Sequence, residues 1–394
     1  MLNKNVFILT LCAFFIAQPL FAQEKEDDGK EKNQKLEIKP YGFIKGDMVY
    51  ATAGVKSFTN AGSLAAPQQA TGVEESAMGF TAQHTRLGLK GGVGEKVKVG
   101  GVVEIDFFTN SFITNANPRL RLGYASITHG GFEVRMGQQW DLFSPLNPNT
   151  NNTNGNLWFA GNKGFRRAQM LFMYTLANET FAPTVQLSFG ETTPDGAFPG
   201  KDNLSGMPMT QARLSGLYGK KYSFGVSFVY GQHLEKGTTV LLQDYDFKFA
   251  TSGIGVDVTL PLHKYLSIAG EFNTGTNLNN ATLFSIAGNH SFTVDVLSNE
   301  VVQNDTKSMG FWVNATSNVT DWFTAVLGYG SDQNKTTDLT TGALKSNTLI
   351  YAHLIFPIKH GFAAAVEWQN IKTTVVDGDD RKANVLGVSA KVTF

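Results

Sequence analysis

Hydrophobic and polar residues alternate along the last segment of the chain. One face of this segment is mostly apolar and carries Asn384, Leu386, Val388, Ala390, Val392 and Phe394. The opposite face carries Val385, Gly387, Ser389, Lys391 and Thr393. A period of two with one apolar face predicts a β-strand with water on one side and lipid or a protein core on the other. An aromatic last residue favours a strand that closes a membrane barrel, although a soluble sandwich could also end on such a strand.

Alternating runs of the same kind recur from about residue 36 onward. Sixteen runs are found, at 38–50, 79–91, 96–108, 119–129, 132–141, 165–175, 183–191, 209–219, 222–231, 245–260, 265–274, 308–317, 322–331, 346–357, 361–373 and 383–394. An even number of strands is what a closed antiparallel barrel with both ends on one side requires. The sequence therefore predicts an all-β, up-and-down transmembrane barrel of sixteen strands. Eighteen strands remain possible if 245–260 or the loops are split.

The connections between the runs alternate in length. Short turns, such as 91–95 and 130–131, alternate with long segments, such as 51–78, 232–244 and 275–307. Short periplasmic turns and long extracellular loops are typical of outer-membrane barrels. A soluble sandwich has no reason to separate its connections in this way.

The two faces of a run differ in charge. In 96–108, for example, one face is apolar while Glu104 and Asp106 lie on the other. A charge on the lipid side costs about 2–4 kcal/mol at mid-bilayer, so the charged face is expected to line a lumen. The mean hydropathy of −0.13 fits this mixture of apolar and polar faces.

The first residues resemble an export signal. A basic Lys4, an apolar stretch and a small residue at Ala22 predict a signal peptide over 1–22. Residues 23–35 are charged and lack apolar periodicity, so they predict a solvated periplasmic tail, followed by the barrel at 36–394. The expected location is the outer membrane of a Gram-negative-type bacterium. Because basic and acidic residues balance at 33 each, nothing points to nucleic acid as a partner.

The predicted lumen is rich in arginine on strands two to six. Its candidate pore-lining and solute-binding residues are Arg86, Lys98, Glu104, Asp106, Arg119, Arg121, Arg135 and Arg167. One interpretation is structural, in which arginine–carboxylate pairs stiffen a water-filled wall. The other is functional, in which a basic track draws small anions through the pore. The two interpretations are compatible, and basic residues outnumber acidic ones on this wall.

The segment 142–164 follows the fifth run and is rich in asparagine. It also contains Trp158 and Phe159, an aromatic pair that needs burial. A surface loop would be the ordinary interpretation of such a polar segment. We expect instead that it folds inward and that its amides line a constriction.

Short motifs in a fixed order resemble the DcaP-like family of outer-membrane porins. They are 41–47 (YGFIKGD), 85–88 (TRLG), 101–108 (GVVEIDFF), 119–121 (RLR), 137–143 (GQQWDLF) and 166–169 (RRAQ). The resemblance covers the first six strands well and the later ones only by pattern. It implies a sixteen-stranded homotrimeric porin for small anionic solutes such as dicarboxylates. It also implies that Arg86, Arg119, Arg121, Arg135 and Arg167 line the narrowest part of the pore.

Other functions find less support in the sequence. There is no Gly-x-Ser-x-Gly motif and no HExxH or cysteine-based metal spacing, so we expect no catalytic residues, no metal and no cofactor. A lipid hydrolase would have to use His84 or His353, which lie inside runs. An energy-coupled receptor would need a plug domain that 23–35 cannot supply. A barrel that binds surfaces through its long loops remains an alternative to a channel.

Overall fold

The fold described here is that of a computed structural model. The residues that it describes are 36–52, 76–108, 116–153, 157–192, 207–240, 243–286, 291–295, 300–335, 337 and 339–394. The predicted signal peptide at 1–22 and the charged tail at 23–35 lie outside this range and stay predictions.

Nineteen strands form within the described residues, almost all of them where hydrophobic and polar positions alternate. The strands are β1 (Glu37–Ala51), β2 (Ala77–Thr81), β3 (Arg86–Val93), β4 (Val97–Asp106), β5 (Arg119–His129), β6 (Phe132–Trp140), β7 (Arg166–Thr175), β8 (Phe181–Gly190), β9 (Met209–Tyr218), β10 (Tyr222–Val240), β11 (Gln243–His263), β12 (Leu266–Thr276), β13 (Ser291–Asp295), β14 (Glu300–Asn304), β15 (Lys307–Thr320), β16 (Phe323–Asn334), β17 (Leu344–Pro357), β18 (Phe362–Val375) and β19 (Arg381–Thr393). One short 3₁₀ helix spans Leu278–Ala281.

Seventeen of these strands form one closed antiparallel sheet. The ring closes where β1 pairs with β19, with Phe43 opposite Thr393. Both β2 and β3 pair with β1, the former along Asp47–Ala51 and the latter along Glu37–Phe43. They therefore occupy one position in the wall, and the barrel has sixteen strand positions, as the sequence predicts. The alternative of eighteen strands is wrong, because β11 runs unbroken through 245–260.

The outer wall is apolar and the inner wall polar. Outward side chains such as Val103 and Leu327 are more than half exposed, at 53% and 64%. Their inward neighbours include buried carboxylates such as Glu104, Glu271 and Glu367. Since lipid can solvate the first set and not the second, this arrangement confirms the predicted assignment of faces.

Among the described residues, the structure differs from the predicted connections in the segments 232–244 and 275–307. The segment 232–244, expected to be a loop, mostly continues the β10–β11 hairpin up to Val240 and Gln243. Outside the bilayer a strand no longer needs an apolar face, so hydropathy alternation cannot reveal this extension. The segment 275–307 contains the 3₁₀ helix and the β13–β14 hairpin. The two strands of this hairpin pair with each other and not with the barrel wall.

Gly137 allows β6 to bend as it approaches the site described below. Its φ is 132°, and a Cβ at this position would lie 2.1 Å from the carbonyl oxygen of Gly123. Glycine is therefore required here, directly before Gln138–Trp140.

No helix in the described part of the chain is long and apolar enough to cross a membrane.

Candidate functional site

The loop between β6 and β7, residues 142–164, folds into the barrel in its two described parts, 142–153 and 157–164. Near its start the Leu142 N–H donates to Gln211 Oε1 on β9 at 2.9 Å. Further along, the Asn151 N–H donates to Glu367 Oε2 on β18 at 2.8 Å. Since β9 and β18 lie nearly opposite each other in the ring, the loop crosses the lumen. The predicted inward fold of 142–164 is confirmed, and we call this segment the crossing loop.

Glu271 on β12 anchors both limbs of the crossing loop. Its buried carboxylate accepts from Ser144 Oγ at 2.5 Å, the Leu146 N–H at 2.6 Å and Asn162 Nδ2 at 3.2 Å. A fourth donor is Trp312 Nε1, at 2.8 Å on the neighbouring strand β15. A buried carboxylate needs such donors, because its charge has lost its hydration. The anchor therefore fixes the loop against the wall.

A second anchor holds the returning limb. The Lys163 Nζ lies 2.6 Å from Asp332 Oδ2 on β16 and 2.7 Å from Ser285 Oγ. Lys163 has no exposed side-chain surface, and this burial lowers the pKa of its ammonium group from the ordinary value. The ion pair ties the loop to the wall at a point separate from Glu271.

Apolar packing adds to these polar anchors. Leu157 and Ala160 of the crossing loop pack inside the barrel against Val49, Trp312 and Leu349 of the wall. The stabilisation gained by burying apolar surface has no preferred direction but is large. The loop is therefore fixed by packing as well as by hydrogen bonds.

Arginine side chains face the crossing loop from β3, β5 and the start of β7. Arg119 donates to both oxygens of Asp106, from Nε at 2.9 Å and from Nη2 at 2.8 Å. Arg121 donates from Nε to Glu104 Oε1 at 2.7 Å and from Nη1 to Asp106 Oδ2 at 3.0 Å. Asp106 thus serves two arginines, and both carboxylates are buried.

Arg86 connects this network to the crossing loop. Its Nη2 donates to the Thr153 carbonyl oxygen at 3.2 Å, and its Nε lies 3.7 Å from Glu104 Oε1. Its guanidinium carbon lies 5.2 Å from the Phe43 ring centroid, within cation–π range. The loop and the arginines therefore border the same narrow part of the lumen.

Arg166, the first residue of β7, completes the group. It is 3% exposed and its guanidinium carbon lies 5.1 Å from the ring centroids of both Trp140 and Phe165. The Trp140 ring is shared with Arg121, whose guanidinium carbon is 5.9 Å away. We call Arg86, Arg119, Arg121 and Arg166, together with Glu104 and Asp106, the arginine cluster.

The structure places the other predicted site residues outside this cluster. Arg135 donates to Glu133 Oε1 at 2.6 Å on its own strand, and Lys98 is exposed near the start of β4. Arg167 has no exposed side-chain surface and donates to both oxygens of Asp141, at 2.5 and 2.9 Å. It also donates to the carbonyl oxygens of Glu191, Thr192 and Ala281, at distances of 2.7–3.0 Å. A pore-lining role for these three basic residues stays a prediction.

Sequence reasoning did not include Arg166 among the site residues. It precedes Arg167, and strict alternation assigns neighbouring residues to opposite faces. Arg166 lies at the junction of loop and strand, where alternation is not yet established. Phe165, which directly precedes it in the chain, was a signal that could have identified it, because arginine packs on aromatic rings. Trp140 lies opposite Arg166 in the pairing of β6 with β7.

A second buried group, formed by Lys45, Asp47 and His84, was also not predicted. Lys45 forms an ion pair with Asp47, and His84 Nδ1 lies 2.9 Å from Asp47 Oδ2. The His84 ring stacks on Phe108 at a centroid distance of 5.9 Å. This group lies at the gap between the end of β2 and the start of β3, beside the arginine cluster.

Solved structures with the same architecture cover nearly the whole chain. The outer membrane channel DcaP of Acinetobacter baumannii aligns with a TM-score of 0.71 and 21% identity, covering 93% of this chain and 99% of that one. The chain has the fold of an outer-membrane porin. That fold indicates a location in the outer membrane of a Gram-negative bacterium, and the predicted resemblance to DcaP-like porins is confirmed at the level of fold.

Two further structures support the same fold. An anion-selective porin from Comamonas acidovorans aligns with a TM-score of 0.57 and 14% identity, over 91% of this chain and 100% of that one. The trimer form of OmpT, an outer membrane protein of Vibrio cholerae, aligns with a TM-score of 0.54 and 12% identity, over 91% and 99% of the chains. No protein-family model and no curated protein matches the sequence.

Proposed function

We propose that this porin-fold barrel is a passive outer-membrane diffusion channel that prefers small anions, such as dicarboxylates. The observation that carries the proposal is the charge of the arginine cluster. Four guanidinium groups face two carboxylates there, an excess of two positive charges beside the crossing loop. A constriction with excess positive charge lowers the barrier for anions and raises it for cations.

Paired and unpaired charges have different effects in this proposal. Arg119 and Arg121 share Asp106, and Arg121 also bonds Glu104, so part of their charge is neutralised and the pairs stiffen the wall. The structural and functional interpretations of the arginine-rich wall therefore both apply. The net charge remains positive, and a positive field acts on every ion that enters the constriction.

Ion selectivity in planar bilayers tests this function. Under a gradient of potassium chloride, we expect the reversal potential of the purified channel to indicate preference for chloride. Arg119→Ala combined with Arg121→Ala should move the reversal potential towards that of a cation-selective pore. A wild-type channel that prefers potassium would contradict the proposal.

We propose a homotrimer as the functional assembly, with outer-membrane lipid around its apolar outer wall. The trimer form of OmpT supports this proposal through the shared fold. Comparison of heated and unheated samples in detergent electrophoresis, together with chemical cross-linking, tests it. A cross-linked species of three chains is expected, and a purely monomeric channel would argue against it.

We expect no enzymatic activity. His84 and His353, the histidines that a lipid hydrolase would need, are 3% and 4% exposed. His84 is bonded to Asp47, and His353 Nδ1 lies 3.4 Å from the Asn149 carbonyl oxygen of the crossing loop. A lipid in the surrounding bilayer has no access to either ring. Hydrolysis that is lost on His84→Ala or His353→Ala would contradict this expectation.

A further inference from the structure

Arg166 differs from the other arginines of the cluster in its hydrogen bonding. Its Nε and Nη1 are buried and have no hydrogen-bond partner in the described structure. Arg119 and Arg121 are bonded to carboxylates, and Arg86 donates from Nη2 to a loop carbonyl. The Nε of Arg86 also has no hydrogen bond in the described structure, but it lies 3.7 Å from the Glu104 carboxylate. Among the buried arginines of the described chain, Arg166 is thus the one whose charge no carboxylate balances.

The surroundings of Arg166 make this lack of a partner unfavourable. The positive charges of Arg121, Arg119 and Arg86 act on it. The opposing charge of Asp106 is already engaged by Arg119 and Arg121. Removing a guanidinium from water without an anionic partner is costly, and nearby like charges increase that cost. The Trp140 and Phe165 rings compensate only in part, because a neutral aromatic ring does not replace the charge of an anionic partner.

An anion bound beside Arg166 would accept its unpaired hydrogen bonds and would offset the nearby positive charges. We propose that Arg166 is the residue that binds the permeating anion directly, as an oxyanion-binding site formed by its unpaired N–H donors. The inference rests on the proposed anion-conducting function and names the binding residue within it. In this arrangement Arg119 and Arg121 provide a positive electrostatic field and stiffen the wall. Arg166 provides N–H groups that are free to donate to the anion.

The chemistry of the donors indicates the class of ligand. Arginine N–H groups form charge-assisted hydrogen bonds to carboxylate oxygens, which are stronger than those to neutral acceptors. The flanking rings hold the guanidinium plane in place, so little side-chain entropy is lost when the ligand binds. Small carboxylates are therefore expected to bind, and spherical halides should occupy the same donors more weakly.

Single-channel conductance as a function of potassium acetate concentration tests the proposal. In the wild type, conductance should saturate because the ion occupies the Arg166 site. In Arg166→Gln the half-saturating concentration should rise about tenfold or more, the effect of losing a hydrogen bond to a charged group. Arg213→Gln is the matched control, since it removes one lumenal arginine that is bonded to Asp257 at 2.6 Å on another part of the wall. Arg213→Gln should keep the half-saturating concentration of the wild type.

The results of these measurements distinguish a failure of the Arg166 site from a failure of the proposed anion-channel function. If the wild type prefers anions while Arg166→Gln and Arg213→Gln behave alike, the Arg166 site is refuted and the anion channel stands. If the wild type prefers cations, the proposed function itself fails.

A measurement on the wild-type protein covers the case in which Arg166→Gln does not fold. Crystals soaked in sodium bromide should show an anomalous peak within hydrogen-bond distance of Arg166 Nε or Nη1, and added acetate should displace it. A data set without a peak at Arg166, or with a carboxylate of the chain itself on these atoms, would overturn the proposal.

Discussion

Arg121 Nη1 and Asp106 Oδ2 lie 3.0 Å apart, on neighbouring strands and away from water. Arg121 is the extra residue of a bulge, because the pairing of β4 with β5 shifts between Glu104 and Ile105. Without this shift, Arg119 and Arg121 could not both reach Asp106 while Arg121 also bonds Glu104. A local irregularity of the sheet therefore creates the branched ion-pair network of the constriction.

Replacing the shared carboxylate should alter both stability and selectivity. Asp106→Asn removes the charge that Arg119 and Arg121 share, so the constriction becomes more positive and preference for anions should increase. Breaking a buried pair from one side destabilises by about 3–5 kcal/mol. Reversal potentials and unfolding in urea measure the two effects. The matched control is Asp257→Asn, which removes the partner of Arg213 on another part of the wall. An equal change in selectivity in both variants would show that the position of the charge does not matter.

Loss of the Glu271 anchor should release the crossing loop. Glu271→Ala leaves the donors of Ser144, Leu146 and Trp312 without their acceptor, each at a cost of about 1–3 kcal/mol when it stays buried. We expect higher single-channel conductance and more open-channel noise, because the loop no longer narrows the lumen. Glu179→Ala is the control, since that side chain is 96% exposed and its nearest ion-pair partner, Lys220, is at the long distance of 4.0 Å. Unchanged conductance in Glu271→Ala would mean that the loop does not limit the flow of ions.

The barrel could be predicted from the sequence because the bilayer imposes a strict rule on every strand. Val103 must be apolar because it faces lipid, and the charged Glu104 must lie on the lumenal side, so the period of two is visible wherever a strand crosses lipid. This rule no longer applies beyond the membrane boundary. Alternation therefore predicts a loop at 232–244, where β10 in fact continues to Val240 and β11 begins at Gln243. Loop segments that pair with each other outside the wall, such as β13 and β14, carry no comparable constraint.

The candidate site was predictable only in its composition. Alternation indicated that Arg86, Arg119 and Arg121 face the lumen, and the structure brings them together. It could not show that Arg167 is bonded to Asp141 while its neighbour Arg166 has no hydrogen-bonded carboxylate among the residues that the structure describes. That difference depends on contacts between residues that are far apart in the chain, since Arg167 donates to Asp141 and to the carbonyl oxygens of Thr192 and Ala281. Sequence spacing contains no information about such contacts.

The ion pair between Lys163 and Asp332 should contribute strongly to stability. Both side chains are fully buried, so Lys163→Met leaves an uncompensated carboxylate and should destabilise by about 3–5 kcal/mol. Combining Lys163→Met with Asp332→Leu should cost less than the two single changes added together, since no charge then remains unpaired. Urea unfolding of the three variants measures this coupling. Strict additivity would show that the two residues do not act as a pair.

The outward position of Leu327 tests whether the apolar wall lies in lipid. Leu327 is near the middle of β16, is 64% exposed and pairs with Ala315 and Ala352 on either side. Leu327→Arg should destabilise the barrel in lipid vesicles by about 2–4 kcal/mol, the cost of arginine at mid-bilayer. Leu327→Ala should cost much less, because it removes apolar surface without adding a charge. The cost of Leu327→Arg comes from the lost hydration of arginine. The difference in unfolding free energy between the two variants should therefore be smaller in a thin bilayer that admits water. Equal stability of Leu327→Arg and Leu327→Ala in a thick bilayer would show that this face of the barrel does not contact lipid.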